Sequence, residues 1–398
     1  MTALLNRLPG DRVIWMTAIF LGLISLLAVY SSISSLAFTR EGGSTTHFLV
    51  KHGLMLLSGG VIMFYAGRLR FGIWSRLSKL LIGLTAVLLL LTLVLGSNIN
   101  DASRWITIPI INQSFQTSDL AKVVLITYLA RVLGKHHGEP WTLRDVVLRL
   151  MLPIGVICGL ILPANFSTAA VLFLTCLILM FVGQVPLKWI GVTVGAALAA
   201  MLTLVAVNEA LGAIDPKLEF LPRVSTWEKR LRVHGDDGNV ANYQVEHAKI
   251  AIASGGLLPN GPGSGASRNW LPHPYSDMIY AFIVEEYGSL FGGLGLILLY
   301  LILLFRAVRI AGRCPKPFGA LAAVGLSLML VLQAMVNMAV AVNLVPVTGQ
   351  PLPLVSMGGT SIWFTCLAIG IVLSVSRAIE TDPNTEDKHV RRARTAAA

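Results

Sequence analysis

Apolar runs recur along the whole chain, and several reach the ~20 residues that an α-helix needs to cross ~30 Å of hydrocarbon. This recurrence restricts the fold more than any motif does. A bilayer offers no water to backbone groups, so such runs must be helices unless they alternate as barrel strands, and no alternating ten-residue pattern is present. The chain therefore reads as an all-α polytopic membrane protein. Composition agrees: 55% of the 398 residues are hydrophobic and 13% charged, against about a quarter charged in a soluble domain.

Hydropathy predicts ten spans: Val13 to Ser31, Phe48 to Ala66, Leu80 to Gly96, Leu120 to Leu133, Val146 to Leu162, Thr168 to Gly183, Ile190 to Val207, Met278 to Leu304, Phe318 to Val342 and Ser361 to Ser376. The fourth is short, and Asp119 and Lys122 at its start predict that it stops short of one surface. Arg7 and Arg12 before Val13 give the start a signal-peptide look, but the run is longer than a signal core, so it reads as a retained first helix. Residues 1–376 thus form a single transmembrane domain, with a loop at about 208–277 between helices seven and eight. Residues 377–398 form a polar, disordered tail.

The formal charge of +11 comes from Lys and Arg scattered in short connections, which orients helices rather than binding nucleic acid. One set of loops holds Arg68, Arg70, Arg76 and Lys79, then Arg131, Lys135 and Arg144, then Lys188, then Arg306, Arg309, Arg313 and Lys316. The opposite set holds few. The first set reads as cytoplasmic, which places both termini inside and the long loop outside. Cys158, Cys176 and Cys366 fall in apolar runs and Cys314 in a basic loop, none with metal-ligand spacing.

The stretch from Ser254 through Gly265 to Asp277 is too rich in Gly and Pro for a ladder and reads as a shaped loop. Asp277 then precedes an apolar helix. It is either an N-cap or a carboxylate at the membrane boundary, able to act as a general base or to hold a divalent cation. Glu285 and Glu286 lie two turns further on. They read either as a hydrogen-bonded pair within the bundle or as functional acids; two carboxylates so close resist joint ionisation, so one is expected to be protonated or paired to a cation, and a buried Lys or Arg partner would decide which. Asp119 and Lys122, at i and i+3, pair with each other, or Lys122 joins Arg104 in contacting a diphosphate. Gln333 and Asn337 share one helix face, as interhelical glue or as the lining of a polar cavity. Residues Asn343 to Thr360 form a second non-helical piece. Gly261-Pro-Gly-Ser-Gly265 lacks the Lys of a phosphate-binding loop, so no nucleotide is expected. Asp236-Asp237-Gly238 lacks the rest of a calcium loop.

Several of these stretches together resemble one family. They are Ala102-Ser-Arg-Trp-Ile106 with Phe115 to Lys122, Tyr243-Gln244 with Ile250 to Gly256, Leu271-Pro272, Asp277 through Glu285-Glu286-Tyr-Gly288, Gln333 through Asn337 to Pro346-Val-Thr-Gly349, Pro351-Leu-Pro353, and Ser356-Met-Gly-Gly359. In that order they resemble the SEDS proteins, of the FtsW and RodA kind. The resemblance implies a ten-helix peptidoglycan glycosyltransferase that polymerises lipid II on the outer face of the bacterial cytoplasmic membrane. It implies Asp277 as catalytic base, and Arg104, Lys122, Asp119, Arg223, Gln244, Ser254, Gly255, Pro353 and Ser356 around substrate and diphosphate, with Glu285 and Glu286 as supporting acids. It further implies a divalent cation, Mg or Mn, for which Asp277 is the candidate ligand. The implied partners are a class B penicillin-binding protein and divisome proteins, working among membrane lipid at the division septum. Family members often carry Glu at the position of Asp119, an acidic element where this chain has Leu162 to Thr168, and, in division-type members, Glu at Asn269. Gly10 to Trp15 and Val29 to Ser31 look more like the FtsW branch. The alternatives are an elongation-type polymerase, a lipid II flippase or transporter, and a scaffold that only recruits a synthase.

Overall fold

The computed structural model describes residues 8–33, 46–95, 97–99, 102–108, 113–214, 240–270 and 275–381, with backbone alone at 95, 97–99, 102–108, 113–114, 213–214, 240–242 and 269. Among them the apolar runs form helices: α1 (Arg12–Ser32), α2 (Thr46–Arg68), α3 (Phe71–Leu95), α4 (Thr117–Lys135), α5 (Leu143–Asp145, a π-helical Val146–Met151 and Leu152–Ile161), α6 (Phe166–Val182), α7 (Leu187–Ile214), α8 (Val240–Gly255), α9 (Ile279–Ala311, π-helical at Gly288–Leu294), α10 (Pro317–Ala341) and α11 (Ser361–Glu380). All but α8 correspond to the ten expected spans. By length and composition seven of them can cross a membrane, namely α1, α2, α3, α7, α9, α10 and α11, while α6 is apolar but shorter.

Several boundaries differ from the hydropathy reading. Helix α3 begins at Phe71 rather than Leu80, because Arg76 and Lys79 sit on exposed turns where long cations reach out of the apolar layer. The fourth helix begins at Thr117 and has 19 residues, about 28 Å of rise, so it extends beyond Leu120 to Leu133 at both ends. Helix α11 continues through Arg377 to Glu380, past the expected start of the tail. Helix α8 holds Ser254 and Gly255 as its last residues, so the loop opens at Gly256.

The chain also makes a small antiparallel sheet, which the sequence reading did not foresee: β1 (Ser97–Ile99), β2 (Ala102–Ile108) and β3 (Gln113–Gln116), in that order, with Trp105 opposite Gln116.

Successive rods reverse direction, so their connections sort onto two ends. One end gathers the positive connections. There Asp11 caps α1 by accepting from Val13 N at 2.8 Å and Ile14 N at 3.2 Å, and it pairs with Arg306 of α9, whose Nε is 3.0 Å away. Both described termini lie at this end, where Pro9, Gly10 and Glu380 line one cavity. The other end carries the sheet, the glycine-rich loop and residues 342–360. Among the seven helices long and apolar enough to span, α10 and α11 are the most enclosed, whereas α7 buries only 6% of its apolar window.

Candidate functional site

Residues 350–357 form the centre of the loop end, and they are held by their main chain. Irregular backbone at membrane depth needs partners for its carbonyls, and here helix side chains supply four of them. Asn337 Nδ2 donates to Gln350 O at 2.7 Å and Gln333 Nε2 to Pro351 O at 2.9 Å; Tyr300 Oη donates to Pro353 O at 2.5 Å and Ser25 Oγ to Val355 O at 2.7 Å. Ser25 has one proton, which goes to Val355. His52 Nε2, 2.7 Å from Ser25 Oγ, must therefore be the donor of that second bond. Leu354 is left-handed, at φ 63°.

The same segment fixes Asp277. Ser356 Oγ accepts from Leu352 N at 2.7 Å and donates to Ser276 O at 2.5 Å, while Met357 N donates to Tyr275 O at 2.9 Å. Asn337 Nδ2 donates to Asp277 O at 2.8 Å. The cap position of α9 is Met278, one residue beyond Asp277. The carboxyl of Asp277 is half-buried and approaches Gly349, where an added Cβ would lie 3.9 Å from Oδ2. Gly349 is at φ +62°, a conformation that side chains rarely adopt, so this wall of the site is left open by a residue type the backbone itself requires.

Beneath lies a buried ion pair. Lys122 Nζ is 2.7 Å from Asp119 Oδ1 and donates to Gln333 Oε1 at 2.8 Å. Gln333 and Asn337 are one turn apart on α10. An uninterrupted series of polar contacts thus runs from Asp119 through Lys122, Gln333, the 350–351 backbone and Asn337 to Asp277. A void of ≈ 10 Å³ borders Asp119, Lys122, Gln333, Ser361 and Thr365.

Glu285 and Glu286 do not bond to each other, and neither makes a close ion pair with a described Lys or Arg, although the Arg268 guanidinium acts on Glu286 through space. Their partners are backbone amides and hydroxyls instead. Glu286 Oε1 accepts from Ser31 Oγ at 2.5 Å, Gly263 N at 2.8 Å and Gly265 N at 3.4 Å. Glu285 Oε1 accepts from Ala266 N at 3.0 Å and Ser267 N at 3.2 Å, and Oε2 from Ser267 Oγ. The main chain adds Asn260 N and Gly261 N, both 3.0 Å from Glu286 O. The two acids therefore fold the glycine-rich loop back onto α9. At the loop's other root Gly255 touches α9 so closely that a Cβ would sit 2.2 Å from Val284 O.

The structure brings Asp277, Ser356 and Pro353 together, with Asp119 and Lys122 one layer below. Pro353 and Ser356 are buried, Pro353 O accepting from Tyr300 and Ser356 Oγ bonding to main chain, and Lys122 contacts Asp119 and Gln333. Gln244 is half-buried, and Ser254 is exposed with Oγ 2.9 Å from Ala251 O. Arg223 and the side chain of Arg104 lie outside the described residues. Ser25, His52 and Tyr300 were missed; their signal in the sequence was a polar group inside an apolar span. Asn165, in the stretch where the resemblance marks a missing acid, caps α6 by accepting from Thr168 N at 3.2 Å.

No cluster of three or more His, Cys, Asp or Glu able to hold a metal occurs among the described residues. Mg²⁺ is usually held by one or two carboxylates together with substrate phosphates and water. Asp277 offers a carboxylate of that kind, so the donor set fits such an ion when a phosphorylated ligand completes it.

The sequence model of the cell cycle protein family of FtsW, RodA and SpoVE matches residues 11–381. A probable peptidoglycan glycosyltransferase FtsW of Coxiella burnetii is 31% identical over 92% of this chain and 96% of its own. Stage V sporulation protein E of Bacillus subtilis is 30% identical over 94% of this chain and 98% of its own. Among solved structures, a chain of a peptidoglycan synthase complex described as coordinating polymerization and crosslinking superposes with a TM-score of 0.70 at 26% identity, over 94% of this chain and 99% of that one. Thermus thermophilus RodA shares the fold, with a TM-score of 0.65 at 24% identity, over 95% of this chain and all of its own.

Proposed function

Because the chain belongs to the FtsW, RodA and SpoVE cell cycle family, we propose that it is a peptidoglycan glycosyltransferase that polymerises lipid II, with Asp277 as its general base. The observation that carries this reading is the setting of Asp277: a half-exposed carboxylate at one end of a membrane bundle, its main chain held by Asn337 and, through Ser276, by Ser356. A base positioned this firmly keeps its oxygen within reach of one sugar hydroxyl.

In the proposed step the Asp277 carboxylate takes the proton of the attacking sugar hydroxyl. The hydroxyl oxygen forms a bond to the anomeric carbon of the donor, and the bond from that carbon to the diphosphate breaks, its electron pair leaving with undecaprenyl diphosphate. A divalent cation, Mg or Mn, held by Asp277 and the phosphates, would supply neutralisation of charge on the leaving group. Arg104 and Arg223 are further cations suited to the diphosphate by type.

The concentration of Lys and Arg at the end opposite Asp277 supports a cytoplasmic position for that end and for both termini, with Asp277 on the outer face of the bacterial cytoplasmic membrane. Similarity to a chain of a peptidoglycan synthase complex supports a class B penicillin-binding protein as partner. The FtsW-named relatives favour work with divisome proteins at the septum.

The test is polymerisation of lipid II by purified protein, alone and with the penicillin-binding protein, with and without chelator. Glycan chains from the parent and none from Asp277→Asn, at equal thermal stability, are expected. Normal polymer from the variant would remove the base. Movement of lipid II across liposomes without polymer would favour a transporter.

A further inference from the structure

At the end opposite Asp277 the first turn of α3, the last turns of α4 and α11 and the start of α10 enclose an open cavity of ≈ 600 Å³. Five of its lining side chains are cationic: Arg70, Arg76, Arg131, Lys135 and Lys316. No Asp or Glu lines it, and none of the five is ion-paired to a described acid, whereas Arg306 and Arg149 near the same end each have one. Five like charges around one concavity repel one another unless an anion sits among them. The groove is also built. Arg131 is half-buried and donates to Ser75 O, and the rings of Phe71 and Phe318 stack 6.1 Å apart as an apolar wall, with Lys316 Nζ 5.5 Å from the Phe71 ring.

The surroundings identify the anion's source. From Gly72 and Arg76 the i+4 row of α3 continues to Leu80 and Leu84, which are 72% and 50% exposed. An apolar track therefore leads from the cations along the lipid-facing side of the helix. A free phosphate would use the cations and ignore the track; a phospholipid uses both. Basic pockets between membrane helices are suited to phosphate headgroups of this sort. We propose that this cavity binds the headgroup of an anionic phospholipid, with one or two phosphodiesters among the five cations and an acyl chain along Leu80 and Leu84. The site is independent of Asp277 and of the reaction proposed for it.

The test is native mass spectrometry of the delipidated full-length protein in detergent, with cardiolipin, phosphatidylcholine or inorganic phosphate added. Cardiolipin is expected to bind in preference to phosphatidylcholine and to resist displacement by equimolar phosphate. The pair Arg76→Glu and Lys135→Glu should weaken it about tenfold or more, while Arg144→Glu with Lys188→Glu, exposed cations outside the cavity, should not. If the Glu pair melts early, Arg76→Gln with Lys135→Gln takes its place, again with weaker binding expected. Equal binding of phosphatidylcholine, displacement by phosphate, unchanged binding in the cavity variants, or an equal loss in the control pair would each overturn the proposal.

Discussion

Asn337 holds Asp277 by its main chain: one amide nitrogen donates to Asp277 O at 2.8 Å and to Gln350 O at 2.7 Å. This bond goes to the acid's carbonyl and not to its carboxyl, so helix α10 sets the position of its backbone. Asn337→Ala should leave two carbonyls short of a donor, costing about 1–3 kcal/mol of stability. It should also lower polymerisation by about 100-fold through misplacement of the base. Thermal melting and initial rates at saturating lipid II check both, and a variant that melts early but polymerises at the parent rate would separate Asn337 from the site.

For the buried pair, removing one partner should be worse than removing both. Lys122→Met or Asp119→Leu alone should each cost about 3–5 kcal/mol by stranding a charge, and the double variant should recover most of that. Melting temperatures of the three variants give the coupling. If the double variant is stable yet inactive, Lys122 has a second role in ligand binding.

Glu286 gives a sharper comparison. Its Oε1 takes the bonds from Ser31, Gly263 and Gly265, while Oε2 is buried without a partner. Glu286→Gln preserves the accepting oxygen and should be tolerated, whereas Glu286→Ala strands three donors and should free the loop. Limited proteolysis between Gly256 and Ser267 reads the difference, with rapid cleavage expected only in the Ala variant.

Gly255→Ala would place a Cβ 2.2 Å from Val284 O. The helices must part to admit it, at about 1–3 kcal/mol. The neighbouring change Ser254→Ala, at an exposed position, should be neutral, so the pair of melting curves tests the close approach itself.

Helix existence was legible in the sequence because burial in lipid demands long apolar runs, and the family resemblance rested on motifs spaced along nearly the whole chain. Boundaries were less so. Arg76 and Lys79 hid the start of α3, because hydropathy does not see that a long cation can reach out of the apolar layer, and Asp119 and Lys122 made α4 look shorter than it is, because it counts each charge without seeing its partner. The sheet escaped because two of its three strands, β1 and β3, have only three and four residues. In the candidate site, the sequence marked Asp277, Gln333 and Asn337 by type and spacing, but Ser25 and Val355 are joined across 330 positions, a separation at which local pattern carries no signal. For the glutamates the sequence left open protonation of one or pairing to a cation, and it gave no sign of the loop amides that their carboxyls accept from.

Four carbonyls between Gln350 and Val355 are gripped by residues of α1, α9 and α10, and the grip reads only the backbone. These bonds would survive a change of side chain along that segment, provided the new residue can adopt the local dihedral angles. The gripping residues have no such freedom, since each answers to a different carbonyl. The constraint these bonds impose therefore sits in the middle of the spans, where a hydroxyl or amide looks at first like an error in an apolar run.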